Sequence, residues 1–221
     1  MVRLLTALLL PLALGLHPGA ALAQDDVEFS ATMVQKAPQQ DRTMETRIYV
    51  GDNVMRSEMQ QDGKERVTIV DTQRRAAYLL NPAKQEYLEM QAGPQGQQGG
   101  PAAGAAMDRP PLPDEPGSPC RQDNPNFQCE RLGTETVNGR EAVKWRFTAT
   151  QGERTMTSTV WIDQELRMPI RQELPGGVVS ELKNIQVGEQ PNSLFQVPEG
   201  YTRIEMPARQ GQGQGSGGYG R

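Results

Sequence analysis

The sequence predicts an all-β protein, built from a meander of antiparallel strands. Apolar and polar residues alternate with a period of two in window after window. Clusters of Gly, Asn, Asp and Pro break these windows every eight to twelve residues, the spacing of hairpin turns. No stretch of ten or more residues carries a strong 3.6-residue apolar period, so little helix is expected.

The elements follow in order. In the first strand Val27, Phe29, Ala31 and Met33 share one side, against Glu28, Ser30 and Thr32. In the second, Met44, Thr46, Ile48 and Val50 oppose Glu45, Arg47 and Tyr49. The turn Gly51-Asp52-Asn53 leads into residues 54–60, where Met55 and Met59 share a side. Asp62-Gly63 is a hairpin signal before residues 67–71. Further turns at 72–75 and 81–84 introduce strands at 76–80 and 86–90. The second half has the same style. Residues 134–137 meet an Asn138-Gly139 turn. Val143, Trp145, Phe147 and Ala149 then alternate with Lys144, Arg146 and Thr148, the cleanest strand signal in the chain. Strands are expected at 155–162, 169–174 and 178–187, and a single helical turn at 191–195.

Residues 1–23 read as a secretory signal peptide. Arg3 is the basic start, residues 4–16 form an apolar run, and Ala21-Leu22-Ala23 is a small-residue cleavage site. The run is too short to span a bilayer comfortably, so no transmembrane anchor is expected. Cleavage after Ala23 leaves a single domain over 24–206 with a Gly/Pro-rich insert at 91–119. A Gly/Gln-rich tail at 207–221 has the composition of a disordered segment.

Cleavage also removes His17, the only histidine. A chain without histidine cannot build a Ser-His-Asp or Cys-His pair, nor a histidine-ligated metal site. With no nucleophile motif and no phosphate-binding glycine loop, neither an enzyme nor a cofactor is expected. Arg3 is the only charge in the leader, so 22 basic and 27 acidic residues remain, a net −5. That balance argues against a nucleic-acid partner. Cys120 and Cys129, in an oxidising exported compartment, read as a disulfide. Closing so short a loop stabilises by roughly 2–3 kcal/mol. Two thiolates without histidine are half a ligand set, and the C-x-x-C spacing of redox pairs is missing.

Three segments occur in a telling order: Gly133-Thr134-Glu135-Thr136-Val137-Asn138-Gly139, then Trp161-Ile162-Asp163 with Pro169 after it, then Leu194-Phe195-Gln196-Val197-Pro198-Glu199-Gly200-Tyr201. Together they resemble the bacterial outer-membrane lipoprotein carrier superfamily, the LolA/LolB-like fold, and in particular an exported branch of it. The resemblance covers most of residues 27–204. It implies a strongly curved antiparallel sheet, an incomplete β-barrel, with a hollow for apolar cargo. The insert at 91–119 departs from the family pattern, being poor in helix formers where covering helices would lie.

The resemblance makes Phe29, Met33, Met44, Ile48, Met55, Met59 and Trp145 the candidate cavity. Methionine is flexible and polarizable, and suits surfaces that accept varied apolar ligands, although the same residues also serve as ordinary core filling. Trp145 and Trp161 equally suit core anchoring. Arg47 and Arg56 lie among apolar residues, as head-group contacts or as solvated charges. Leu194, Phe195, Val197 and Tyr201 are expected to clamp the C-terminus to the sheet. The Asp25-Asp26 and Asp114-Glu115 pairs read as solvated charge. The function implied is a periplasmic, non-enzymatic binding or carrier protein for a lipid, lipoprotein acyl chains or another hydrophobic ligand. The alternative is an envelope-stress or signalling protein whose sheet binds an envelope protein.

Overall fold

Twelve strands form one sheet: β1 (Phe29–Ala37), β2 (Arg42–Gly51), β3 (Val54–Gln61), β4 (Lys64–Asp71), β5 (Ala76–Asn81), β6 (Glu86–Gln91), β7 (Phe127–Val137), β8 (Arg140–Gln151), β9 (Arg154–Asp163), β10 (Met168–Leu174), β11 (Val178–Val187) and β12 (Thr202–Ile204). The computed structural model describes residues 27–38, 42–91 and 111–205. The signal-peptide and tail expectations lie outside the described residues, as does 92–110 of the insert. The spatial order is β12-β6-β5-β4-β3-β2-β1-β11-β10-β9-β8-β7, so the sheet is open, with β12 and β7 at its edges. Two short 3-10 turns, Pro119–Arg121 and Asn192–Phe195, accompany it.

Neighbours are antiparallel except β12, which runs parallel to β6 and was not foreseen. It is three exposed residues long, and its pairing depends on where the chain returns, not on its own composition. β7 starts at Phe127, earlier than expected, because a bulge between Arg131 and Gly133 breaks its alternation. The β7–β8 hairpin turns through Asn138 at φ 50° and Gly139 at φ 79°, the left-handed pair that a tight type I′ turn needs. The cysteines form the expected Cys120–Cys129 bridge, with Cα atoms 5.4 Å apart, joining the first 3-10 turn to β7.

The sheet is strongly curved and does not close into a barrel. In a flat sheet β7 would lie four strand spacings from β11, about 19 Å away. Yet Asn138 Nδ2, at the tip of the β7–β8 hairpin, donates to Leu182 O of β11 at 2.7 Å. The main core cluster likewise gathers Phe29, Ile48, Val50 and Met55 from β1–β3 with Val137, Ala142 and Trp161 from β7–β9. Only a curled sheet brings those two groups together.

Two further clusters lie under chain segments. Leu112 packs on Val143, Trp145, Val160 and Ile162. Tyr201 packs on Val67, Ile69 and Leu80, alongside Tyr78 and Tyr87.

Candidate functional site

Residues directly opposite one another in paired strands point to the same side of a sheet, so the register can be followed across it. Phe29 faces Val50, which faces Met55. Ala31 faces Ile48; Gln35 faces Met44; Met33 faces Thr46, which faces Met59. In the other direction Met33 faces Leu182. Two residues along β11, Ser180 faces Gln172, which faces Val160, which faces Trp145. The register sets Phe29, Met33, Met44, Ile48, Met55 and Met59 on one face of β1–β3, whereas the route to Trp145 crosses the β9–β10 pairing, where a bulge between Pro169 and Arg171 shifts the register, and it is Ala142 and Trp161, on the other side of β8–β9 from Trp145, that pack in the core with Phe29 and Ile48.

They are not one cluster. Phe29, Ile48 and Met55 are buried in the main core, 0%, 1% and 6% exposed, and Met33 packs at its margin. Met59 is half-buried and Met44 is 48% exposed. Trp145 belongs to the separate cluster that Leu112 seals. Its indole N–H is buried with no hydrogen-bond acceptor among the described residues. The register adds three residues to the face. Ile48, Ser57, Thr68, Leu79 and Leu88 make one row, and Val70, Ala77 and Met90 belong to the next. Leu79 is 38% exposed, and Leu88 and Met90 are half-buried. The segment Ala76-Ala77-Tyr78-Leu79-Leu80 has no alternation, so the sequence could not assign Leu79 to this face.

What covers each face explains where the apolar surface stays open. Residues 111–121 lie over the Trp145 side of β8–β9, away from Ala142 and Trp161 of the main core. Leu112 and Ser118 are buried there, and the disulfide ties the segment to β7. Glu115 is a salt-bridge partner, not a solvated charge: Arg167 Nη1 and Nη2 donate to its two oxygens at 2.8 and 2.6 Å. Arg167, together with the Leu112 N–H, lowers its pKa to about 2. Asp114 is exposed.

On the face of β3–β6 turned away from Met55 and Met59 lies the C-terminal segment. Arg56 Nη1 donates to Leu194 O at 3.0 Å while its Nε pairs with Glu58 at 2.7 Å. Arg56 is thus an anchor for the returning chain, turned away from the candidate face. Arg47 shares that opposite face and is 64% exposed, 3.6 Å from Glu58. Phe195 stacks so closely on Gly51 that a Cβ there would come within 2.9 Å of its ring. Phe195 and Tyr201 clamp the C-terminus as expected.

Several other charged groups have structural partners. Trp161 Nε1 donates to Glu135 at 2.7 Å, with Lys144 and Arg171 over its ring at 4.7 and 5.1 Å. Lys144 and the Trp161 donor hold the Glu135 carboxyl below its ordinary pKa. Buried Asp163 accepts from Arg140 and from the Glu165 and Leu166 N–H groups, closing the β9–β10 turn and raising the Arg140 pKa. A groove of about 240 Å³ on the charged face is lined by Val34, Lys36, Arg171, Val179, Glu181 and Lys183. Among the described residues no three His, Cys, Asp or Glu side chains gather where a metal could be held. No helix among them is long and apolar enough to cross a membrane.

No protein-family model matches the sequence. No curated protein matches it either. Solved structures do. An uncharacterized conserved protein from Thermus thermophilus aligns with TM-score 0.50 at 10% identity, over 83% of this chain and 93% of that one. MucB, in the Pseudomonas aeruginosa MucA/MucB complex, aligns at TM-score 0.45 and 16% identity, over 78% of this chain; the match spans 56% of the MucB chain. A Vibrio parahaemolyticus domain named for outer-membrane lipoprotein sorting aligns at TM-score 0.29 and 13% identity, over 78% and 92% of the two chains. The likeness is one of fold.

Proposed function

We propose that this protein is a non-enzymatic periplasmic binding or carrier protein that holds a hydrophobic ligand, such as a lipid or lipoprotein acyl chains, on the apolar face of its sheet. One observation carries the reading. Met33, Met44, Met59, Leu79, Leu88 and Met90 share a face, and neither described covering segment lies over them. Large apolar side chains gathered on one face and open to solvent mark a binding surface. Methionine predominates, which suits a surface that adapts to flexible chains. The curl of the sheet supports a hollow on this side.

Native mass spectrometry of the protein purified from its own cell envelope tests the reading. A co-purified lipid or acylated species is expected, and Leu79→Asp should lose it while keeping the β-sheet circular dichroism signal. A ligand-free protein that instead crosslinks to one dominant envelope protein would replace this reading with the partner-binding one.

A further inference from the structure

The carboxylates of β1–β5 are confined to one face, where Lys36, Arg47 and Arg56 also lie. The strands β1–β5 bear four carboxylates, Glu45, Glu58, Glu65 and Asp71, opposite Val34, Arg47, Gln60 and Val54 respectively. All four therefore lie on the face opposite the methionines. On the apolar face the register places cations instead. Arg66 is the direct cross-strand partner of Met59, and Lys64 is the partner of Gln61, on the same side. Both are exposed, and neither forms an ion pair among the described residues. Among strand residues, the nearest carboxylate on this face is Glu86 of β6, two strands away or about 10 Å, with Lys84 beside it at 4.0 Å, while Asp62 sits in the exposed turn before Lys64. Arg66 also lies one row from Leu79: its neighbour but one, Thr68, is Leu79's partner.

From this arrangement we infer that the ligand is a monomeric anionic amphiphile, whose chain lies along Met59, Leu79 and Leu88 and whose carboxylate or phosphate head is received by Arg66 and Lys64. The inference rests on the ligand-binding reading above and deepens it. Guanidinium suits the task, since its fork of N–H donors matches two oxygens of a carboxylate or phosphate. The mature chain carries net −5, so its overall charge repels anions. Any preference for an anionic head must arise locally.

Calorimetric titration of the full mature protein, below micelle concentrations, separates the possibilities. The probes share one dodecyl chain: dodecanoate, dodecyl phosphate, dodecyltrimethylammonium and a neutral dodecyl polyethylene glycol ether. Both anions should bind about tenfold more tightly than the neutral ether, as two exposed ion pairs allow, and the margin should shrink with added salt. Arg66→Ala/Lys64→Ala should bring the anions to the level of the ether without weakening the ether. Arg47→Ala removes one positive charge from the opposite face and should leave the preference intact. Equal binding of anionic and neutral probes, or a preference that survives the double variant, overturns the inference and leaves the ligand-binding reading standing. Failure of every probe to bind overturns both. Sedimentation with intact anionic vesicles and no monomer binding would mark the patch as a membrane-surface contact, and would also overturn the inference.

Discussion

Replacing Asn138 tests whether the curl of the sheet is held by the contact that reports it. Its side chain donates to Leu182 O and to Glu181 Oε1, each at 2.7 Å, tying the β7–β8 hairpin tip to β11. Its backbone is also left-handed, at φ 50°. Asn138→Gly keeps that conformation and removes both hydrogen bonds. Leu182 is buried, so its carbonyl loses a partner out of reach of water. Losing one such bond and one exposed bond to a carboxylate should cost about 1–2 kcal/mol. Asn138→Ala adds the penalty of a left-handed Ala, roughly another 1 kcal/mol. Urea unfolding followed by circular dichroism reads both, as falls in midpoint at unchanged slope. Per kcal/mol, the melting temperature should drop about 2–4 °C at this chain length. If Asn138→Gly matches the wild type, the hairpin tip does not hold the curl and the packing of Val137 and Ala142 must do so alone. If it falls as far as Asn138→Ala, the turn conformation contributes nothing separate.

Three other outcomes are expected. Gly51→Ala should destabilise by about 1–3 kcal/mol, because the new methyl meets the Phe195 ring at 2.9 Å and Val54 at 3.1 Å; an unchanged melting temperature would mean the C-terminal clamp is loose. Cys120→Ser/Cys129→Ser should lose roughly 2–3 kcal/mol and raise hydrogen exchange over residues 111–121, while exchange in β3–β5 stays as it was. The depressed Glu115 pKa makes its ion pair fully stabilising above the unfolded value near 4.5, and the contribution fades as pH falls towards about 2. Glu115→Gln should therefore flatten the acid limb of the stability curve between those values and lower stability at neutral pH; an unchanged acid limb would show that the Arg167 pair adds nothing.

How much could be read in advance varied with the local pattern. β8 was plain, since Val143, Trp145, Phe147 and Ala149 alternate without interruption with Lys144, Arg146 and Thr148. The start of β7 was hidden by the bulge at Arg131–Gly133, and β12 by its length. Alternation set Arg56 between Met55 and Met59 and left open whether it met a head group or solvent. It carried no sign that the carbonyl of Leu194, more than a hundred residues later, would come to it. Glu115 read as a solvated charge for the same reason: its partner, Arg167, is remote in sequence.

The sequence by itself determined that this chain makes strands, where most of them turn, that its two cysteines bridge, and which methionines share a side within each strand. Those are local properties, set by side-chain alternation and turn chemistry over a few residues. The tertiary structure decided that six of the candidates share one face across β1–β3, that Trp145 is set apart and sealed under Leu112, that Leu79, Leu88 and Met90 extend the open surface, and that the carboxylates of β1–β5 all lie behind it. Register between strands depends on pairing over long separations, and a shift of one residue would reverse every one of those assignments.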